Sequence, residues 1–373
     1  MIVPFIDLKS QHGEILPRYI KELKNIFRES NFILGKEVEY FESDFAKYCE
    51  SRFAVGVNSG TDALFLGLLS LGIGKGDKVL VPAYTYIASA LAISYTGAQP
   101  VFVDIDPLTY AMDIEALKKN IDKRVKAVIP VHLYGQPADL PSLFKLRDKY
   151  GFKVVEDCAQ SHGAEWKDDK NKWHRVGSLA DVGCFSFYPT KNLGAAGDGG
   201  IVTTNDKSIF MRLKRLRDYG RIDRYQHVSM GYNSRLDTVQ AALLRLKLKS
   251  LDKYNKMRVA AAGYYSKLLK DIPDLTIPFI SDYVRSVFHI YAVQFKNREK
   301  ILNFFNKYNI SALIHYPIPL HLQKVYKNLG YRKGDFPAAE TTSKHILSLP
   351  IFPHISKAQI EYVVAIVKKA SRA

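Results

Sequence analysis

The segment Phe185-Ser186-Phe187-Tyr188-Pro189-Thr190-Lys191-Asn192-Leu193-Gly194 places a lysine just after an apolar run. Residues 183–188 predict a buried strand, and four glycines follow Lys191 within nine residues. A lysine just after a buried strand is not typical of a solvated surface position. Burial would lower the pKa of its amine and free it for Schiff-base chemistry, and the glycines would let the backbone bend around a bulky ligand. The segment therefore predicts a lysine-centred site on a sheet.

On either side of this segment, the first two-thirds of the chain alternate short apolar runs with helical patterns. Strands are predicted at residues 53–57, 78–81, 100–105, 125–132, 153–156, 183–188 and 200–204. Helices are predicted at residues 62–71, 87–96 and 140–150. Strands rich in Val and Ile that alternate with helices are typical of a mostly parallel sheet covered on both faces. The sequence therefore predicts an α/β fold.

The pattern changes after Leu236. A long amphipathic helix is predicted over residues 237–254, followed by mixed segments that include a strand over 288–295 and a closing helix over 359–369. We therefore predict a large domain over residues 1–247 and a smaller C-terminal α+β domain over residues 248–373. The N-terminal segment could pack on the smaller domain.

The composition is that of a globular protein, with 47% hydrophobic and 24% charged residues among 373. No apolar stretch approaches the ~20 residues that span a bilayer, and no basic-then-apolar leader follows Met1. Cys49, Cys158 and Cys184 lie far apart, which indicates neither a disulfide framework nor a zinc cluster. We expect a cytoplasmic protein with no metal site.

The net charge of +17 raises the chance of an anionic partner. The densest basic groupings are residues 212–224 and the trio Arg245, Lys247 and Lys249, and both are interleaved with leucine. We interpret them as solvated helix faces. No recognition helix or basic stripe is visible, so we expect neither nucleic acid nor a membrane as partner.

Polar residues that follow the predicted strands are candidates for ligand binding, because ligands of such sheets bind at the carboxyl ends of the strands. The segment Asn58-Ser59-Gly60-Thr61-Asp62 follows the strand at 53–57. Gly60 would let the backbone approach a ligand, and the following helix offers free N–H groups, which together make a phosphate cradle. A plain N-cap at Ser59, Thr61 or Asp62 explains the same residues.

A second strand ends in Glu156-Asp157, with Gln160 and His162 shortly after. The carboxylate could cap the next helix or hold a cationic ring nitrogen of a cofactor. Gln160 and His162 could reach the same ligand. For His162, a buried histidine satisfied by the backbone is an equal alternative.

A phosphate cradle, a carboxylate for a ring nitrogen and a Schiff-base lysine are together what pyridoxal 5'-phosphate requires. Asp157 would keep the pyridine nitrogen protonated, and Lys191 would move a proton between the amino donor and the cofactor. An aromatic residue after the strand at 78–81 could stack on the ring. We assign this role to Tyr86, with Tyr84 as a core residue.

The chain resembles the DegT/DnrJ/EryC1/StrS family of nucleotide-sugar aminotransferases, which are fold-type I pyridoxal-phosphate enzymes. The matching stretches cover essentially the whole chain: residues 5–8, 58–64 (NSGTDAL), 82–89 (PAYTYIAS), 130–139 (PVHLYGQPAD), 156–164 (EDCAQSHGA), 186–200 and 231–242 (GYNSRLDTVQAA). The resemblance implies a large domain with a mostly parallel central sheet and a smaller C-terminal domain.

The resemblance also implies residue roles. Lys191 is similar to the Schiff-base lysine, Asp157 to the partner of the pyridine nitrogen and Gln160 to the residue that bonds the cofactor's 3-hydroxyl. The implied phosphate ligands are Gly60, Thr61, Ser186 and, from a neighbouring subunit, Asn233. That last role implies a homodimer with shared active sites, although a turn residue before the long helix also explains Asn233. The implied substrate-facing residues are His162, Tyr188, His315 and Tyr316.

Because Lys191 is present, the resemblance implies amino transfer, with L-glutamate as donor and a nucleotide-linked keto-deoxysugar as acceptor. The stretches at 132–136 (HLYGQ) and 160–163 (QSHG) are more similar to members that act at C-3 of dTDP-3-keto-6-deoxyhexoses. Action at C-4 of a 4-keto-6-deoxyhexose is the alternative. A DNA-binding regulator is a third hypothesis, since some family members were first described as regulators, but the sequence shows no DNA-reading element.

Overall fold

Thirteen strands and twelve helices lie in residues 1–372, which are the residues that the computed structural model describes. The strands are β1 (Phe53–Val57), β2 (Lys78–Pro82), β3 (Gln99–Val103), β4 (Val125–Val128), β5 (Lys153–Asp157), β6 (Glu165–Lys167), β7 (Trp173–Arg175), β8 (Val182–Ser186), β9 (Gly200–Thr204), β10 (Leu275–Thr276), β11 (Val284–Arg285), β12 (Tyr291–Phe295) and β13 (Ile346–Leu349). The helices are α1 (Leu8–Glu29), α2 (Lys36–Tyr48), α3 (Gly60–Ser70), α4 (Ala88–Tyr95), α5 (Ile114–Lys119), α6 (Leu140–Tyr150), α7 (Lys207–Leu216), α8 (Thr238–Leu248), α9 (Leu251–Leu269), α10 (Arg298–Lys307), α11 (Pro337–His345) and α12 (Lys357–Arg372).

The central sheet has seven strands in the spatial order β1-β9-β8-β5-β4-β2-β3. The strand β9 runs antiparallel to both of its neighbours, and the other six strands share one direction. Helices connect the parallel strands and so cover the sheet. The predicted α/β fold with a mostly parallel sheet is confirmed.

The two faces of the sheet pack against different helices, which explains why its strands are apolar at successive positions. In β2, Val79 and Val81 belong to the core cluster that contains α3 and α4. Leu80, between them, belongs to the cluster that contains α2, α6 and α8. Neighbouring side chains of a strand lie on opposite faces, so both faces must be apolar when both are buried.

The helix α6 shows how local sequence sets the bounds of an element. Asp139 caps its first turn by accepting a hydrogen bond from the Ser142 N–H at 3.1 Å. Gly151 ends it in a left-handed conformation with φ of 76°, which costs glycine little. These two signals give the bounds that the sequence predicts, residues 140–150.

A second, smaller sheet in the order β10-β12-β13 is antiparallel. It packs with α9, α10 and α12 around its own apolar cluster. Val3 belongs to this cluster and pairs with Ile310 in a short β-bridge. The N-terminal segment therefore contacts the C-terminal part of the chain, and the domain boundary at residue 247 stays a prediction.

Three of the predicted elements that differ from the structure do so for a clear physical reason. The single helix over 237–254 is wrong: α8 ends at Leu248 and α9 begins at Leu251, because α8 packs on α1 and α2 whereas α9 packs on α12. The strand predicted over 125–132 ends at Val128, since Pro130 has no N–H to continue the ladder. The strand predicted over 288–295 begins at Tyr291, because Phe288 has a left-handed φ of 42°.

The interpretation of the basic groupings as solvated is wrong for two of their members. Arg217 is buried, pairs with Glu42 and donates to the Gly56 carbonyl at 2.9 Å. Lys247 is buried and donates to the Gly194 carbonyl, and burial lowers its pKa to about 8. Among the described residues, no helix combines the length and the apolar character needed to cross a membrane.

Candidate active site

The carboxyl ends of β1, β2, β5 and β8 lie at one edge of the central sheet and border a cavity of about 480 Å³. Ten of the residues predicted from the sequence line it: Gly60, Thr61, Tyr86, Asp157, Gln160, Ser186, Tyr188, Lys191, His315 and Tyr316. His162 and Asn233 do not line it. Strand order therefore brings together side chains that are far apart along the chain.

Lys191 lies in a tight turn that follows β8. Its N–H donates to the Tyr188 carbonyl at 2.9 Å, and the Ala195 N–H donates back to the Phe187 carbonyl at 2.8 Å. Burial lowers the pKa of Lys191 to about 8, and the nearby Asp157 acts in the opposite direction. An amine with this pKa is partly neutral near pH 7, as a nucleophile and proton carrier requires.

Asp157 is buried at the end of β5, where two donors hold its carboxylate. Ser89 Oγ donates to one oxygen at 2.8 Å, and the Ala159 N–H donates to the other at 3.1 Å. Burial raises the pKa of Asp157, while these hydrogen bonds and the charge of Lys191 lower it. A cationic ring nitrogen beside the carboxylate would further favour its ionised form.

The N-terminus of α3 meets the end of β8. Ser59 caps the helix by accepting from the Asp62 N–H at 3.1 Å, so the N-cap alternative holds for Ser59. Gly60 and Thr61 lie in the first turn, whose N–H groups have no partner within the helix, and both border the cavity. A Cβ on Gly60 would lie 2.4 Å from the Cβ of Ser186, so only glycine lets these two elements approach.

Gln160 is fixed at both ends of its amide. Its Oε1 accepts from the Tyr134 N–H at 2.7 Å, and its Nε2 donates to the Tyr316 hydroxyl at 3.1 Å. Tyr86 is 56% exposed and borders the cavity, whereas Tyr84 is buried. The structure thus places the predicted stacking residue at the cavity and its alternative in the core.

Two buried tyrosines, Tyr84 and Tyr134, hold the backbone of the loop at His315 and Tyr316, a role that the sequence did not indicate. The Tyr84 hydroxyl donates to the His315 carbonyl at 2.7 Å and accepts from the Tyr316 N–H at 2.7 Å. The Tyr134 hydroxyl also donates to the His315 carbonyl. The His315 ring contacts Ser348 Oγ at 2.9 Å, and burial lowers its pKa to about 4.

The prediction that His162 contacts the substrate is not supported. Its side chain is fully buried and packs 5.5 Å from the Phe185 ring and 5.8 Å from the Phe187 ring, centroid to centroid. Burial lowers its pKa to about 3. Neither ring nitrogen makes a hydrogen bond of normal geometry in residues 1–372, although the Ser186 backbone is close enough to oppose the lowering of the pKa. His162 is therefore a neutral residue of the core beneath β8.

Asn233 is exposed and lines a neighbouring depression together with Asp198, which also borders the main cavity. Its backbone pairs with Asp218 in an antiparallel bridge. Within one chain, Asn233 therefore does not reach the site of Lys191.

Three further residues near the lysine were missed. Asn192, directly after Lys191, is buried and bonded to three groups. His289 borders the cavity, and Lys247 holds the Gly194 carbonyl from below. A histidine within the apolar stretch at 287–290 was the available signal for His289. Asn192 and Lys247 contact residues that are distant along the chain, so no local sequence pattern indicates their roles.

The site suits pyridoxal phosphate on structural grounds. Lys191 provides an amine of lowered pKa, and Asp157 provides a carboxylate that is held by a hydrogen bond from Ser89. The close approach of Gly60 to Ser186 forms a cradle that any larger residue at position 60 would fill. These three features match the aldehyde, the ring nitrogen and the phosphate of that cofactor.

Comparisons with known proteins agree with this chemistry. The model of the DegT/DnrJ/EryC1/StrS aminotransferase family matches residues 14–368. A transaminase named for dTDP-3-amino-3,6-dideoxy-α-D-galactopyranose, from Aneurinibacillus thermoaerophilus, is 44% identical over 99% of both chains. The structure of DesV from S. venezuelae, in complex with a ketimine intermediate, is 42% identical with a TM-score of 0.97 over 100% of this chain and 99% of its own.

A more distant solved structure is NtdA from Bacillus subtilis, with the bound cofactor PMP. It is 26% identical with a TM-score of 0.91 and covers 100% of this chain and 86% of its own. The predicted cofactor and enzyme class are confirmed. The chain belongs to the DegT/DnrJ/EryC1/StrS aminotransferase family and is a pyridoxal-phosphate-dependent sugar aminotransferase.

Proposed function

We propose that the chain transfers the amino group of L-glutamate to a dTDP-3-keto-6-deoxyhexose and so forms a dTDP-3-amino-3,6-dideoxyhexose. The observation that carries the proposal is the joint placement of Lys191, Asp157 and Gln160 around one cavity. The choice of C-3 is supported by the relative from A. thermoaerophilus, whose name specifies a dTDP-3-amino-3,6-dideoxy sugar.

Bound pyridoxal phosphate supplies an electron sink for the electron pair released at the donor carbon. Lys191 would carry the proton between the donor carbon and the cofactor, because its buried amine has a pKa of about 8 and can hold or release a proton near neutral pH. Asp157 would hold the ring nitrogen, and Gly60, Thr61 and Ser186, which line the same cavity, would hold the phosphate.

The acceptor sugar binds on the side of the cavity lined by Tyr188, His315 and Tyr316. The hydroxyls of Tyr84 and Tyr134 fix the backbone of the 315–316 loop from behind. Tyr188 is 54% exposed at the mouth, where it can contact a large substrate. The positive net charge of the chain favours the approach of an anionic nucleotide sugar.

Two chains form a homodimer in which Asn233 of one completes the phosphate site of the other. The segment before Asn233 exposes large apolar side chains, with Tyr225 at 79%, Met230 at 86% and Val228 at 54% exposure. Exposed apolar residues in such density are typical of a surface that is covered in an assembly. Asn233 also lies outside its own chain's cavity, as a residue donated to a partner would.

Asn233→Ala tests the shared site. The variant should bind the cofactor more weakly, and mixing it with Lys191→Ala chains should restore part of the activity, because half of the mixed sites then hold both native residues. Exchange of subunits is verified by mass spectrometry of the native mixture. Verified mixed dimers without recovered activity would contradict the shared site.

The substrate is tested by following the visible absorbance of the bound cofactor. Glutamate should remove the band, and a dTDP-3-keto-6-deoxyhexose should restore it with formation of the aminosugar. If only a nucleotide-linked 4-keto-6-deoxyhexose restores the band, the enzyme acts at C-4 and the C-3 assignment is wrong. If glutamate leaves the band unchanged, the donor assignment is wrong.

A further inference from the structure

A network of buried amides joins the residue after Lys191 to His289. Asn192 Nδ2 donates to Asn255 Oδ1 at 2.9 Å and to the Val287 carbonyl at 3.2 Å. Asn192 Oδ1 lies 3.1 Å from Nδ1 of His289. Asn192 and Asn255 are both 6% exposed, so water does not compete strongly for these bonds.

Two backbone carbonyls fix the orientation of both amides, because a carbonyl oxygen can only accept. The Val287 carbonyl accepts from Asn192, so the side-chain nitrogen of Asn192 must face it. The His162 carbonyl accepts from Asn255 Nδ2 at 2.8 Å, so the side-chain nitrogen of Asn255 must face that carbonyl. The Asn255 oxygen is then free to accept from Asn192, as observed. The Asn192 oxygen therefore faces His289.

The tautomer of His289 follows from this orientation. An amide oxygen has no proton to donate, so Nδ1 of His289 must carry the hydrogen. A neutral imidazole has one ring proton, which leaves Nε2 as an acceptor. Burial, together with the charges of Lys191 and Arg258, holds the pKa of His289 well below its usual value, so the ring stays neutral.

His289 borders the cavity that contains Lys191, and the hydrogen bond that its ring makes within residues 1–372 is the one at Nδ1, which leaves Nε2 for a ligand. We propose that His289 is a substrate-binding residue whose Nε2 accepts a hydrogen bond from a hydroxyl of the sugar acceptor. This inference rests on the proposed function.

The acceptor character of Nε2 discriminates between the two substrates. A carboxylate presents only acceptor oxygens and finds no partner at Nε2, so the carboxylates of the amino donor bind elsewhere. The amino nitrogen of the donor is the atom that the reaction transfers, so it is not available as a partner for Nε2. Among the reacting parts of the two substrates, the hydroxyls of the sugar are the remaining donors, so His289 serves the sugar half of the reaction.

Two substitutions separate the nitrogens of the ring. His289→Asn can keep an N–H near the position of Nδ1 and loses the acceptor at Nε2, whereas His289→Gln can place an amide oxygen near the position of Nε2. Lost hydrogen bonds between neutral groups correspond to about a three- to tenfold effect. His289→Asn should lower kcat/KM for the keto sugar by about this factor, and His289→Gln should restore part of it.

The glutamate half-reaction is the internal control, measured in the same variants by loss of the cofactor's visible band. It should stay within about twofold of the wild-type rate, since Nε2 does not contact the donor. Equal losses in both half-reactions would mean that His289 only supports the fold and would overturn the proposal. A wild-type enzyme that does not aminate the sugar would instead refute the proposed function.

The tautomer can be measured without turnover. Nitrogen-15 NMR of histidine-labelled holoenzyme distinguishes a protonated from an unprotonated Nε2, and comparison with His289→Asn identifies the signal among the ten histidines. We expect an unprotonated Nε2 in the resting enzyme. A proton on Nε2 would overturn the proposal, because the ring could then not accept a hydrogen bond there.

Discussion

Gly60→Ala tests the phosphate cradle, because the structure gives the size of the perturbation. The new methyl carbon would lie 2.4 Å from the Cβ of Ser186 and 3.0 Å from its Cα. Carbon atoms in contact lie about 3.5–4.0 Å apart, so the N-terminus of α3 and the end of β8 must separate by about 1 Å. The Cα belongs to a strand of the central sheet and cannot turn away as a side chain can.

We expect a shift of this size to remove a hydrogen bond from the groups that we propose to hold the phosphate. Hydrogen bonds to a charged group contribute about 1.5–3 kcal/mol each, so the loss of one corresponds to about a 10- to 100-fold weaker affinity for pyridoxal phosphate. The overpacking itself should lower the free energy of unfolding by about 1–3 kcal/mol. The affinity is measured by titrating apoenzyme with cofactor and recording its visible absorbance.

Gly263→Ala is the matched control. Gly263 lies in α9, and a Cβ there would meet nothing within 4 Å, so the change should leave cofactor affinity unaltered and stabilise the helix by about 0.5–1 kcal/mol. Cofactor affinity of Gly60→Ala within about twofold of the wild type would refute the cradle and the assignment of Gly60.

Three further predictions concern groups around the cofactor. Lys191→Ala should lower the rate of transamination by at least about 10²- to 10⁴-fold because the proton carrier is lost; a single-turnover assay that retains most of the rate would contradict the role of Lys191. Asp157→Asn should lower the rate by about 100-fold with the cofactor still bound, since the ring nitrogen loses its charged partner; unchanged turnover would mean that another carboxylate has this role. Lys247→Met should remove a pH dependence of stability. Between pH 8 and pH 10.5 the unfolded chain keeps the Lys247 proton, whereas the folded chain releases it. The free energy of unfolding of the wild type therefore rises with pH by about 3 kcal/mol in total across this window. The difference in unfolding free energy between wild type and Lys247→Met, measured across that window, should grow in favour of the wild type, and a constant difference would contradict the lowered pKa.

The predictable part of the site lies where apolar strands end. Lys191, Asp157 and Gly60 each lie within a few residues of the end of an apolar run, and in a parallel sheet such positions meet at one edge whatever the details of packing. This general rule located six of the cavity's residues before the strand order was known, and the resemblance to a family added Ser186, Tyr188, His315 and Tyr316. The resemblance to a family then gave their roles.

The residues that were missed or misjudged depend on contacts between distant parts of the chain. Lys247 follows the pattern of a solvated helix, but the turn at Gly194 covers it and its carbonyl accepts the ammonium hydrogen bond. His162 lies close to Asp157 in the sequence, yet its side chain packs against the rings of Phe185 and Phe187. No local pattern records which side chain will lie beneath a loop 50 residues away.

The alternation of strands and helices, and the lysine, carboxylate and glycine at the site, could be predicted from the sequence because they depend on local periodicity and on residue chemistry. The polar groups that support them emerged only in the folded chain: the tyrosine hydroxyls behind the 315–316 loop, and the amide network that fixes the tautomer of His289. Hydrogen bonds require donor and acceptor to meet within about 3 Å, and only the folded chain sets such distances between residues that are 60 to 230 positions apart.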